Sequence, residues 1–379
     1  MKGLSPRRDS STAQHALGTM AHALAPAQHK VRVAWASMAV SSPMGQQVYE
    51  AQIQAALTRA ADPSRWAFRR LTMRSLRSTL QADARYPAGL IANGPLWAAK
   101  AVGAILYRDA LLVHRFDLRL PPASGIEVVT VHDLAPLRFS DEGSLPPHAV
   151  ASAQRAKRII CDSEFAASEI KEFLGTSNVE VIHCGLTEAY REPHPLGRAS
   201  LEKLGLEEPY IIHAGGATTR KNLASLATAW AQVARQVPDL HLALCGPQDD
   251  RRTNLFRDLP HVRLLGRLET PVVASLMAGA AAVVVPSRYE GFGLPALEAM
   301  ACGVPVVAAN AGALPEVCAD AAHLVDPSPE GLAEGLLRVL TDDDLNARLK
   351  HAGPIRASAF TWEEAARLHL KVYEQALSA

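Results

Sequence analysis

Three things are scarce in this sequence, and each scarcity removes a class of protein. Long apolar runs are missing: no window approaches the roughly 18–20 uninterrupted apolar residues that a membrane-spanning helix needs. Cysteine is sparse, with Cys161, Cys184, Cys245, Cys302 and Cys318 scattered and without a CxxC pair. Such a set supports neither a disulfide framework nor a zinc knuckle and fits a reducing, cytoplasmic compartment. An excess of one charge is also absent, since 39 Lys plus Arg face 38 Asp plus Glu. Nothing global draws the chain to nucleic acid. Residues 1–30 carry Arg7 and Arg8, but His15, His22, Pro26 and His29 interrupt any apolar core of a secretory signal. That stretch reads as a disordered extension.

What is present is enough apolar material for two or three domains: 379 residues, 48% hydrophobic and 20% charged. From Lys30 onward short β-branched runs alternate with longer Ala/Leu-rich runs, the pattern of parallel βαβ units. Strands are expected at 31–36, 67–72, 110–114, 127–132, 158–162 and 179–183. A second series is expected at 210–214, 240–245, 262–265, 282–286, 304–308 and 323–325. Between the two series, residues 187–209 hold Pro193, Pro195, Gly197 and Pro209 and read as a linker. Two α/β domains with doubly wound sheets therefore flank residues 196–204, and ligands are expected at the carboxyl ends of the strands, where the domains face each other. A last helix, 362–377, has enough apolar residues to pack on either one.

The densest chemical signal is PSRYEGFGLPALEAMACGVPVVAANAGALPEV, Pro286 to Val317. Gly291 and Gly293 permit close ligand approach, and Pro295 suits a first helical turn. Backbone N–H groups at such a turn point toward an anion. Glu290 lies in the loop and Glu298 in the helix, so the two carboxylates should serve different parts of one ligand. A glycosidase pair would need carboxyls about 5 Å apart, which this spacing does not assure. A solvent-facing Glu290 with Glu298 paired to a surface base is the bland alternative. The second signal is HAGGATTRKN, His213 to Asn222, where Gly215 and Gly216 can form a tight turn and Arg220 and Lys221 supply cations to a pyrophosphate. It is neither a P-loop nor a GxGxxG fingerprint. Adjacent basic residues ahead of a helix are often merely solvated.

In order along the chain, VHDLAP, CDSEFAASEI, HAGGATTRKN, LALCGP, VRLLG and YEGFGLPALEAMACGVPVV resemble the retaining glycosyltransferases of family 4, over roughly residues 31–377. The resemblance implies the GT-B fold: two Rossmann-like domains across a cleft, an acceptor-side domain at 31–195, a nucleotide-sugar domain at 205–358 and a terminal helix at 359–379. It implies that Glu290 and the backbone of Gly291, Phe292, Gly293 and Leu294 contact the transferred sugar and phosphate. Glu298 would accept hydrogen bonds from the ribose, and Arg220 with Lys221 would neutralise the departing diphosphate without a metal. Gly246, Leu265, Gly266 and Arg267 would frame the base. His132 would reach the donor sugar, and Gly45 would lie on the loop approaching donor and acceptor. His132 could equally be a satisfied core histidine.

The chain departs from the family's pattern in three places. Gly215 stands where many relatives have arginine, Cys184 and Gly185 replace an Asn-Gly, and SSPMGQQ has one glycine where relatives often have two. The implied reaction is retaining, metal-independent hexosyl transfer without a cofactor, from a nucleotide diphosphate sugar to a saccharide or polyprenyl-linked saccharide. GDP-mannose is slightly preferred over UDP-sugars, in polysaccharide or lipopolysaccharide synthesis. The rival readings are a sugar-nucleotide epimerase, a glycoside phosphorylase and an inactive interaction subunit. The stretch Arg65 to Arg85, rich in arginine and interleaved with Trp66, Phe68, Leu71 and Leu76, is a candidate for contact with anionic lipid at the inner face of the membrane or else a solvated face. Asp342 to Asp344 read as a helix start rather than a metal-binding DxD element.

Overall fold

The computed structural model describes residues 30–41 and 45–378, so the amino-terminal extension and the Ser42 to Met44 part of SSPMGQQ lie outside the described residues. The first sheet contains β1 (Val31–Met38), β2 (Trp66–Ser75), β3 (Ala84–Tyr86), β4 (Leu112–Arg115), β5 (Ile126–Thr130), β6 (Arg158–Cys161) and β7 (Val179–Val181). The second contains β8 (Tyr210–Ala214), β9 (His241–Cys245), β10 (Val262–Gly266), β11 (Ala282–Val285), β12 (Val306–Ala309) and β13 (His323–Val325).

Every pairing is parallel, in the orders β3-β2-β1-β4-β5-β6-β7 and β10-β9-β8-β11-β12-β13. Each sheet thus winds outward from its first strand in one direction and then in the other. The reversals fall between β1 and β4 and between β8 and β11, the places where open parallel sheets bind ligands. Strands covered by helices on both faces must be apolar throughout. The buried runs AVVV in β11 and VVAA in β12 meet that demand. The strand β3 escaped the sequence reading because three residues at a sheet edge are too few to show a period.

The connecting segment is packed rather than loose. Tyr190, Leu201 and Leu206 are buried in one apolar cluster with Tyr210, and residues Arg198–Lys203 form a short helix. A second crossing brings the chain back near its end, where Leu186 N–H donates to the Phe360 carbonyl at 3.0 Å. Beside it Gly185 has no room for a side chain: a Cβ there would lie 2.3 Å from the Trp362 nitrogen. The following helix, Trp362–Ser378, completes the first domain. Its Tyr373 hydroxyl accepts from Trp35 Nε1 at 3.2 Å and bonds His114 Nδ1 at 2.7 Å, while His369 Nε2 meets the Tyr49 hydroxyl at 3.0 Å. Burial keeps both histidines uncharged, pushing His369 down to about 4 and His114 well below its usual range.

The basic stretch is a strand, a loop and an edge strand. Arg65 pairs with Glu374 at 2.7 Å, Arg69 with Asp109 at 3.6 Å, and Arg85 donates to the carbonyls of Ser75, Ser78 and Leu80. Asp342 caps the helix Asp343–Ser358, accepting from Leu345 N–H at 3.0 Å.

Candidate active site

The loop after β11 is shaped by two glycines in backbone conformations other residues rarely adopt. Gly293 (φ +109°) precedes the helix Leu294–Ala301, which has proline in its first turn. Gly312 (φ +60°) comes so close that a Cβ would sit 2.8 Å from the Glu290 nitrogen. Glu290 is thereby fixed and only 6% exposed. The turn Thr219–Lys221 after β8 delivers its two partners. Lys221 Nζ lies 2.6 Å from Oε1 and Arg220 Nη1 lies 2.9 Å from Oε2. Asn222 ties the turn down by donating to the carbonyls of Pro286 and Pro327 at 3.0 and 2.7 Å. Burial alone would raise the Glu290 carboxyl, but Lys221 and then Arg220 outweigh it and hold the group at about 2.

The first domain closes onto this cluster. Asp141 accepts from Thr219 N–H at 2.7 Å and pairs with Arg251 at 2.8 Å, and Glu142 pairs with Arg220 Nε at 2.6 Å. Arg220 is therefore clamped between a carboxylate from each domain. Tyr289 bridges too, accepting from Leu134 N–H at 3.0 Å and donating to Glu169 at 2.6 Å. Ser163 Oγ donates to the Gly291 carbonyl at 2.6 Å. Glu316 of the second domain accepts from Glu164 N–H and Phe165 N–H, at the start of the helix Glu164–Leu174, and pairs with His183 at 2.8 Å. A Cβ on Gly291 would lie 2.4 Å from the His132 carbonyl oxygen.

His132 follows β5, with Nδ1 2.6 Å from Asp162 Oδ2 and its ring edge-on to Tyr49 at 4.7 Å between centroids. Its Nε2 is buried with no hydrogen-bond partner. Burial disfavours the charged ring, but Asp162 outweighs burial and raises His132 to about 8.

His132, Gly291, Glu290, Arg220 and Lys221 are thus brought to one junction. Glu298 lies on the helix Leu294–Ala301 against Tyr190; loss of water lifts its carboxyl to about 8, and the Tyr190 hydroxyl pulls the other way. Gly215 and Gly246 touch so closely that a Cβ on Gly246 would sit 1.9 Å from the Gly215 carbonyl oxygen. Beside them a groove of about 520 Å³ is lined by Gly246, Pro247, Gln248, Arg252, Leu264 and Gly266. Leu265 is half-buried and Arg267 exposed at the end of β10, Gly216 faces open space, and Leu294 begins its helix. The Phe292 side chain packs against Phe360 and His183, which leaves its backbone for the site. Gly45 is the first residue of the helix Gly45–Ala60 rather than part of the preceding loop.

Several charged residues at this junction carry no local signal in the sequence, Arg251, Glu169 and Glu316 among them. Asp141 and Glu142 stand on the single 3-10 turn Ser140–Glu142, and Arg252 reaches the Gly215 carbonyl from the helix Asp250–Phe256. Asp162 had as its one signal a place at the carboxyl end of β6. Glu50 is buried, bonded to Gln46, and lifted by burial to about 7.

Residues 200–356 match the family described as Glycosyl transferases group 1. The second domain belongs to the group 1 glycosyl transferases. The chain is 28% identical over 296 residues to "O-antigen chain mannosyltransferase B" of Escherichia coli, a match spanning 73% of this chain and 76% of that protein. Its fold is GT-B. Sucrose-phosphate synthase from Thermosynechococcus elongatus superposes with a TM-score of 0.71 at 23% identity, over 92% of this chain and all of the other. Anabaena HepE in complex with UDP-glucose superposes with a TM-score of 0.68 at 19% identity, over the same shares. Among the described residues no helix is long and apolar enough to cross a membrane.

Proposed function

We propose that this protein transfers a hexose, with retention and without a metal, from a nucleotide diphosphate sugar to a hydroxyl of a saccharide or lipid-linked saccharide during surface polysaccharide synthesis. One observation carries the reading: a fixed Glu290 carboxylate held by Lys221 and Arg220 at the strand-order reversal of the second sheet, directly against the first domain. An ammonium carries three N–H groups and a guanidinium five, so both cations can hold Glu290 and still donate to a diphosphate. In the step, the bond from sugar C1 to the diphosphate oxygen breaks and its electron pair leaves on that oxygen. The acceptor oxygen forms the new bond on the same face, and its proton passes to the departing phosphate oxygen. Arg220 and Lys221 stabilise the charge that builds there. Glu298 is assigned to the ribose, and the groove beside Gly246 and Gly266 to the base.

GDP-mannose is the preferred donor, its sugar but not its nucleotide supported by the E. coli relative's name, with UDP-glucose next, supported by the ligand in the Anabaena structure. A thermal-shift screen against GDP, UDP and their sugars tests the assignment. A ligand at 100 times its Kd stabilises by about 2.7 kcal/mol. One nucleotide should shift the wild type and lose that shift in Glu298→Ala and Lys221→Ala. No shift with any of them would remove the reading.

The proposal extends to peripheral membrane contact. The helix Leu96–Leu106 turns Trp97 (74% exposed) and Ile105 (70%) outward, and Arg69 pairs with Asp109 just beyond its end. An apolar face beside the basic strand suits an anionic surface. Wild type should sediment with vesicles containing phosphatidylglycerol and Trp97→Ser should not; equal sedimentation of both would remove this contact.

A further inference from the structure

We propose that Asp162 is a positioning residue for His132: it fixes the proton on Nδ1 and leaves Nε2 as the atom that bonds an oxygen of the nucleotide sugar. The inference rests on the donor-site reading above and assigns it a residue from the far side of the junction. Asp162 ends β6 and is buried, with Oδ2 2.6 Å from His132 Nδ1. A carboxylate this close to a ring nitrogen keeps hydrogen on that nitrogen, whether the ring is neutral or charged, and locks the ring's orientation. The other nitrogen, Nε2, is covered by protein and has no partner. A buried polar atom left unpaired carries the cost of its lost hydration, and a ligand oxygen arriving between the domains would relieve it.

The surroundings decide which way that bond runs. Glu50 and Tyr49 approach from the helix Gly45–Ala60, Asp133 from the adjoining residue, Cys184 from beyond β7 alongside Asp162, and His114 from β4. Burial keeps Tyr49, Cys184 and His114 uncharged, so the charges that count are those of Asp162, Asp133 and Glu50, and His132 is raised to about 8 against the opposing effect of burial. The ring is therefore charged at neutral pH, so Nε2 donates its hydrogen. His132 then acts as a hydrogen-bond donor to the sugar or phosphate and not as the base that deprotonates the acceptor. The arrangement agrees with a step in which the leaving phosphate takes the acceptor's proton.

The test is Asp162→Asn, which keeps shape and removes charge, read in two ways. In histidine-labelled protein, with the His132 signal assigned from His132→Gln, NMR should show wild-type Nδ1 protonated and titration near 8. In the Asn variant that titration should fall by about one pH unit or more. In transfer assays the fall in kcat at high pH should move down by the same interval, with kcat at pH 7.5 lowered about threefold or more. An ordinary wild-type titration near 6.5, or an unmoved kcat profile in the variant, overturns the proposal. The wild-type titration decides even if the variant does not fold. Absence of sugar transfer by the wild type would remove the donor-site reading instead, while the NMR titration would still judge Asp162.

Discussion

Lys221→Ala is expected to lower kcat by about 10²–10³-fold, or about 2.7–4 kcal/mol, with the fold intact. The fold survives because Glu290 keeps Arg220 at 2.9 Å. The rate falls because the second cation at the breaking bond is gone. Steady-state transfer assays check this, and a kcat within threefold of wild type would remove Lys221 from the chemistry. Glu290→Ala should act on stability instead: Arg220 keeps Glu142, but Lys221 is left buried without its carboxylate, and removing one partner of a buried pair costs about 3–5 kcal/mol.

The same cluster fixes a pH dependence. Glu290 sits at about 2 in the folded chain against an ordinary 4.5, so its contribution is complete above 4.5 and is lost as pH falls toward 2. Glu298 works in the opposite sense. Its folded value of about 8 makes stability decline as pH rises from 4.5 to 8. Denaturant titrations of Glu290→Gln and wild type should therefore converge toward pH 2.

Gly291→Ala should lower kcat by about 10²-fold or more and leave nucleotide affinity largely unchanged. The backbone there does not require glycine, since Gly291 is absent from the positions with positive φ. The requirement is space: a methyl would meet the His132 carbonyl oxygen at 2.4 Å and the Asp133 Cβ at 2.9 Å, both on the opposite domain. The domains would be held apart by about an ångström, and a displacement of that size can cost 10²-fold in an aligned reaction. Small-angle scattering should report a more open average shape for Gly291→Ala, whereas Gly125→Ala, where a Cβ meets open space, should match wild type. An unchanged kcat would show that chemistry does not need this contact.

The doubly wound architecture was legible because two sheets buried on both faces write near-continuous apolar runs into the chain. Boundaries shifted where hydrophobicity and pairing part company. Val304 is buried and fits the apolar pattern of a strand, yet pairing on β12 starts at Val306. The EGFGLP and TTRKN motifs could be named, but their contact could not be read: Lys221 and Glu290 stand 69 positions apart. The His132–Asp162 pair spans 30 positions and the Glu142–Arg220 pair 78, and no local period encodes either. Arg65 to Arg85 show the converse limit. Their spacing reveals charge but not that Arg85 is spent on three carbonyls of its own loop.

The return of the last helix sets an order of events at the ribosome. Trp35, Tyr49 and His114 belong to strands and a helix made early, yet their partners Tyr373 and His369 are made only after every strand of the second domain. The second domain contains all of its own strands and can form as its residues emerge. The first waits with an unfinished apolar face until the helix Trp362–Ser378 has emerged, exposed to chaperones for the longer time although it was made first.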